Sequence, residues 1–276
     1  MLELFQYSFF NNALIIGVLS AIACGIIGSF IVVKKISFIS GSIAHASFGG
    51  IGLAYFAGFN PVIGAILFSI LSALGIGFIN KNNKKQEDAS IGAIWAIGMA
   101  IGLIFIYLTP GYSSDLMSYL FGNILLATSW DLYLVLILDL FIILSVSFLF
   151  KWLVVSIFDE EFATVSNIPV FPLYLFFLIL VALSVVVLIR SVGVILVIAL
   201  LTLPASSAQL ISNNFKGIIK WAILLGIMEN IFGIIISYYL NIASGPVIIL
   251  LAALVYLVIL IFKNIKNKRE KIYLPN

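Results

Sequence analysis

From Ile36 to Ile79 the chain carries no charged residue, with the turn signal Asn60-Pro61 near the centre of the run. About 20 apolar residues in a helix cross the hydrocarbon core of a bilayer, so this stretch predicts two spans back to back. Lipid offers no partner to a backbone N–H or C=O, and only helices or closed barrels satisfy every such group internally. Barrel strands alternate apolar and polar residues, whereas here the apolar runs are continuous. The rest of the chain has the same character: 63% of residues are hydrophobic and 9% charged, where soluble domains carry about a quarter charged residues. The mean hydropathy of +1.27 agrees. The sequence therefore predicts an all-α integral membrane protein, a polytopic helical bundle. Residues 1–12 hold Glu3 and no cation, so no cleavable signal is expected ahead of the first span.

The uncharged runs place helices near 13–33, 42–58, 61–80, 89–108, 131–150, 171–190, 192–212, 217–240 and 245–263, which makes nine crossings, with eight as the alternative. Asn60-Pro61 and Ser191-Val-Gly193 must act as tight turns, or else belong to re-entrant segments. Lys34 and Lys35, then Lys81, Lys84 and Lys85, Lys151, Lys216 and Lys220, and finally Lys263, Lys266, Lys268, Arg269 and Lys271 all follow odd-numbered spans. Of the fourteen Lys and Arg residues only Arg190 is left over. Cytoplasmic loops carry the excess of Lys and Arg, so the N-terminus is expected outside and the C-terminus in the cytoplasm of a prokaryotic cytoplasmic membrane. The net charge of +3 then reflects topology, and a nucleic-acid partner is not implied.

Residues 1–276 read as a single transmembrane domain with a basic cytoplasmic tail at 264–276. Two connectors stand out. The outer segment 109–123 is long and aromatic, and is expected to lie across the outer mouth as a short amphipathic helix or to form an interfacial aromatic belt. The inner segment 158–169 places Asp159, Glu160 and Glu161 among basic loops, followed by Phe162 and Ala163. Asp159 can cap a short helix that stops before Pro169, with Glu160 and Glu161 favourable in its first turn. As a bare motif this is either a solvated loop or a docking element for another protein.

Ionisable groups inside the spans are few: His45, Asp139, Glu229 and Arg190. A charged group at a helix centre costs roughly 2.5–3.5 kcal/mol on the insertion scale, so each needs a partner or water. One reading pairs Arg190 with a carboxylate; the other lines a cation route with Asp139 or Glu229. His45 is the only histidine. Gly41, Gly49 and Gly52 lie at i−4, i+4 and i+7 from it, so its face is nearly free of side chains, while Ala46, Gly50 and Ala54 form a second small-residue face suited to close packing. His45 is thus a packing residue or a pathway ligand. Cys24 is the only cysteine, which leaves no disulfide framework, and it reads as a small core residue.

The segment 39–54 around His45 resembles the second-span signature of the membrane permeases of the zinc and manganese ABC importer family. Segments 119–125, 158–163, 192–205 and 237–246 agree in order and spacing. The resemblance implies a fold like that of the larger vitamin-B12-type importers. It also implies a homodimer enclosing the path, cytoplasmic ABC ATPase subunits docked beneath, and an extracytoplasmic metal-binding protein delivering a divalent metal: zinc, manganese or iron. No cofactor is bound permanently. The family's pathway histidine falls on His45, and 158–167 falls on the coupling helix. The chain departs from many relatives at Gly41 and Asn241, where they carry acids, which leaves the metal open. It has no G-x-x-x-x-G-K-[ST] loop, so ATP hydrolysis must come from a partner. The alternative is a stand-alone proton-coupled secondary transporter using Asp139 or Glu229, although no internal repeat supports it.

Overall fold

The computed structural model describes residues 6–82, 87–110, 122 and 124–273, the side chains of 82, 87, 190–192, 195–196 and 267–273 excepted. The described residues form ten α-helices: α1 Ser8–Lys34, α2 Ser37–Ala57, α3 Pro61–Asn82, α4 Glu87–Leu108, α5 Ser129–Phe158, α6 Glu160–Val165, α7 Val170–Val192, α8 Val194–Ile211, α9 Phe215–Leu240 and α10 Ser244–Tyr273. A 3-10 turn, Ile124–Leu126, precedes α5. All nine expected spans coincide with a long helix. Seven of these are long and apolar enough to cross a membrane by themselves; the other two, α2 and α8, are the Gly- and Ser-rich and the shorter members.

Local chemistry sets the helix ends. Asn60 Oδ1 accepts the Val62 N–H at 2.9 Å, and Pro61 takes the first helical position, where its missing N–H costs nothing. Thr128 and Asp131 close a capping box at the start of α5. Helices α7 and α8 are separated by Gly193 alone, at φ 84° and ψ 159°, a conformation that favours glycine. The expected turns at Asn60-Pro61 and Gly193 are therefore real breaks between consecutive helices. Helix α5 outruns its expected end near residue 150 because Lys151, read as a stop, is an exposed residue within the helix, and a long lysine stem lets a charge be carried there without ending the helix. Helix α10 likewise continues through the basic segment to Tyr273. The outer segment expected at 109–123 lies almost wholly outside the described residues, as do Lys84 and Lys85.

Helices α1 and α7 form the centre, each with 67% of its most apolar stretch buried, against 17% for α4 and α10 at the periphery. Helix α1 packs on α5, α8 and α9, while α2 packs on α3 and α4 and touches α7 and α8. The low apolarity of α2 follows from this position, because most of its residues face protein. It is joined to α3 and α4 by glycines. A Cβ on Gly50 would collide with the Gly64 carbonyl of α3, and one on Gly64 with the Gly50 carbonyl, so the two backbones touch at this crossing.

Aromatic and cation–π contacts gather one set of helix ends. Lys34 Nζ sits 4.5 Å from the Tyr174 ring centroid, Lys81 Nζ 4.3 Å from that of Phe171 and Lys216 Nζ 5.9 Å from that of Phe150. Phe215 packs edge-on against Phe158 at 5.8 Å. The ends of α1, α3 and α5 and the starts of α7 and α9 thus share one basic face. At the opposite face, Ser244 Oγ accepts the Ile124 N–H at 3.2 Å, and Phe10 meets Tyr238 at 5.8 Å.

Candidate permeation site and coupling helix

His45 projects from the middle of α2 toward α4. Its ring lies 4.3 Å from that of Trp95 with 9° between the planes, a parallel stack. Trp95 also meets Phe38 at 5.8 Å and 51°. His45 is half-buried, and its Nδ1 is enclosed without a hydrogen-bond partner among the described residues. The face expected to be bare is instead filled by neighbouring helices. A Cβ on Gly49 would lie 2.8 Å from the Gly98 carbonyl of α4 and 3.0 Å from the Phe68 ring of α3; one on Gly52 would strike the Gly102 carbonyl. Gly41 turns to α8, where a Cβ would be 2.9 Å from Ile198 Cδ1. All three glycines permit close approach of helices around the histidine.

The two acidic span residues lie deeper. Asp139 on α5 is 1% exposed and Glu229 on α9 is 2% exposed; neither carboxylate has a hydrogen-bond partner among the described residues. Asp139 lies within electrostatic reach of the Cys24 thiol on α1. Beside Glu229, Asn230 donates to the Gly226 carbonyl at 2.8 Å and leaves its own oxygen without a partner among the described residues. An ionised carboxylate sealed this way costs several kcal/mol, so each site invites a counter-charge. The Arg190 side chain, expected as one source of it, lies outside the described residues. His45, Asp139 and Glu229 do not converge: among the described residues no three His, Cys, Asp or Glu side chains are grouped to hold a metal ion.

The acidic inner segment forms α6. Asp159 Oδ1 accepts the Phe162 N–H at 2.8 Å, Glu160 and Glu161 occupy the first turn, and the helix ends before Pro169. Ala163, fully buried, is its anchor; Phe162 at 58% and Val165 at 82% exposure are uncovered. Between α6 and the bundle lies a cavity of about 560 Å³ lined by Lys34, Asn80, Lys81, Glu160, Thr164 and Tyr174, among others. At the opposite face Asn241 takes the left-handed conformation, φ 53°, that ends α9, and lines a cavity of about 550 Å³ with Ser237, Tyr238 and Tyr239. Asparagine is among the few residues at ease there.

Trp95 and Phe38 are the residues that sequence reasoning missed. The available signal was Gly98-x-x-x-Gly102 on α4, the spacing of a close helix contact, one turn beyond Trp95.

Residues 6–263 match the family model described as the ABC 3 transport family. A manganese transport system membrane protein of Listeria monocytogenes is 36% identical over 94% of this chain and 92% of its own length. A probable metal transport system membrane protein of Chlamydia trachomatis is 41% identical over 90% and 87%. A chain of PsaBC from Streptococcus pneumoniae, solved in complex with a Fab, superposes with a TM-score of 0.84 at 33% identity, covering 93% of this chain and 92% of that one. Nothing in these likenesses favours a self-sufficient proton-coupled transporter. An all-helical membrane bundle matched along nearly its whole length by metal-transport membrane proteins belongs to the ABC 3 transport family and is the permease subunit of an ABC metal importer.

Proposed function

We propose that two copies of this chain form an alternating-access path for a divalent metal ion across a prokaryotic cytoplasmic membrane. Partner ATPase subunits power it, and an extracytoplasmic binding protein feeds it. The observation that carries the reading is α6: a capped helix anchored by Ala163, with Phe162 and Val165 exposed on the lysine-rich face. A short helix that leaves apolar side chains in water and adjoins the basic ends of the spans is suited to seat in a cleft of a soluble partner. That face is cytoplasmic by the distribution of lysine, which puts the N-terminus outside and the C-terminus in the cytoplasm.

His45 serves as a transient ligand, with Asp139 and Glu229 offering negative charge deeper in the bundle. A pathway ligand must release its ion, so one imidazole per copy with dispersed carboxylates suits passage better than a tight cage would. Imidazole accepts zinc, manganese and iron, and geometry selects among them. The manganese named for the Listeria relative makes manganese the first cargo to test, with zinc and ferrous iron beside it.

Reversal of Glu160 and Glu161 to lysine tests the coupling. Co-purification of the ATPase should fall while membrane insertion is unchanged, and undiminished co-purification would move the docking surface elsewhere.

A further inference from the structure

Metal-binding histidines are ordinarily oriented by a hydrogen bond from the second ring nitrogen to a carboxylate or carbonyl, which also raises the basicity of the ligating nitrogen. Among the described residues His45 lacks that device, because its enclosed Nδ1 has no partner there. The ring is fixed instead by its parallel stack on Trp95 at 4.3 Å and 9°. The difference is chemical. A metal ion approaches an imidazole along the nitrogen lone pair, in the ring plane, so a stack on the ring face sets the plane without itself blocking that approach at Nε2, the nitrogen other than the enclosed Nδ1.

The stack is held in place from both sides. Ser42 Oγ of α2 donates to the Ile91 carbonyl of α4 at 2.8 Å, one turn before Trp95. One turn after Trp95, Gly98 lies so close to the Ala46 backbone that a Cβ could not fit. Phe38, two turns before His45 on α2, meets the indole as well, at 5.8 Å. The register of α4 on α2 is thus pinned immediately below and above the stack, and the indole has little freedom to leave the imidazole.

We infer that Trp95 is a positioning residue of the metal path: its indole orients the His45 ring so that an in-plane nitrogen meets the passing ion, without a hydrogen bond that would strengthen the ligand. A ligand oriented but not made more basic captures an ion and lets it go, as a permeation site requires. This inference rests on the reading of His45 as a pathway ligand.

The test is ATP-driven uptake of manganese, and separately of zinc, into liposomes holding the full complex with its ATPase and delivery protein. Loss of the stack in Trp95→Leu should raise the KM for metal roughly three- to tenfold, with the maximal rate within about twofold of wild type. Trp95→Phe, which keeps a ring on the imidazole, should recover most of the loss. Trp95→Leu should add nothing once His45 is alanine. Gly98→Ala, which pushes α4 off Ala46 with the tryptophan intact, should reproduce the KM rise and guards against a Trp95 variant that fails to assemble. An unchanged KM in Trp95→Leu, or an equal loss with and without His45, overturns the inference while His45 keeps its role. Normal uptake by His45→Ala overturns the pathway reading itself and the role of Trp95 with it.

Discussion

At the scale of single residues the bundle is governed by what is missing from side chains. Gly50 and Gly64 let α2 and α3 touch, backbone to backbone, and neither position has room for a Cβ. Gly64→Ala should therefore lower stability by about 1–3 kcal/mol through forced separation of the two helices, read as a drop in the thermal midpoint of the detergent-solubilised protein. An unchanged midpoint would mean that the crossing is looser than described. Asp139 carries the opposite burden, a sealed carboxylate with no hydrogen-bond partner among the described residues. If its charge serves the ion, Asp139→Asn should cut uptake by roughly tenfold or more while the complex assembles normally, the scale set by the cost of one unpaired intramembrane charge. Retained uptake would leave Asp139 as a structural group. His45 and the three glycines beside it were legible as an unusual cluster, because histidine is rare in spans and glycine costs helix stability unless something approaches closely. What approaches was not legible. Trp95 comes from another helix, and apart from the Gly98-x-x-x-Gly102 spacing the sequence of α4 is so uniformly apolar that no period marks its buried face.

At the scale of elements, caps and breakers carried the prediction. Asn60-Pro61, Gly193 and Asp159 each act locally, through one side-chain oxygen or one backbone conformation, so a reader of the sequence can place them without knowing the fold. The end of α5 was misplaced for the converse reason: Lys151 looks like a boundary in sequence but reaches solvent from within the helix, a choice made by its surroundings. The cap on α6 has a measurable role. Asp159→Ala should cost the helix about 1 kcal/mol, visible as faster amide exchange across 160–165. Because the helix is only six residues long, this fraying should weaken ATPase coupling with little change in overall stability. Equal exchange in both proteins would show that Ala163 and the adjoining helices, not the cap, hold α6 in place.

At the scale of the whole molecule, the one-sided distribution of lysines and the gathering of Phe158, Phe171, Tyr174 and Phe215 at the same ends describe a bundle with a basic face and an opposite face bearing Asn241. An impermeant amine reagent added to intact cells should leave the lysines at these ends unmodified and label them once the membrane is opened; labelling in intact cells would invert the proposed topology. The order and approximate placement of the long helices among the described residues could be read from apolar runs because span length is set by bilayer thickness. The juxtaposition of α2 with α4, and of α1 with α5 and α9, could not be, since helices in lipid find their neighbours by shape and not by apolarity.

Passage of a divalent metal ion under the drive of a partner ATPase is the property from which the proposed roles of His45 and α6 follow. The most direct test is uptake of manganese, zinc and ferrous iron into liposomes holding the permease, its ATPase and its delivery protein, with and without hydrolysable ATP. Hydrolysis-dependent accumulation of one of these metals is expected, falling sharply with His45→Ala in an intact complex. A competent ATPase turning over with no movement of any of the three metals would contradict it.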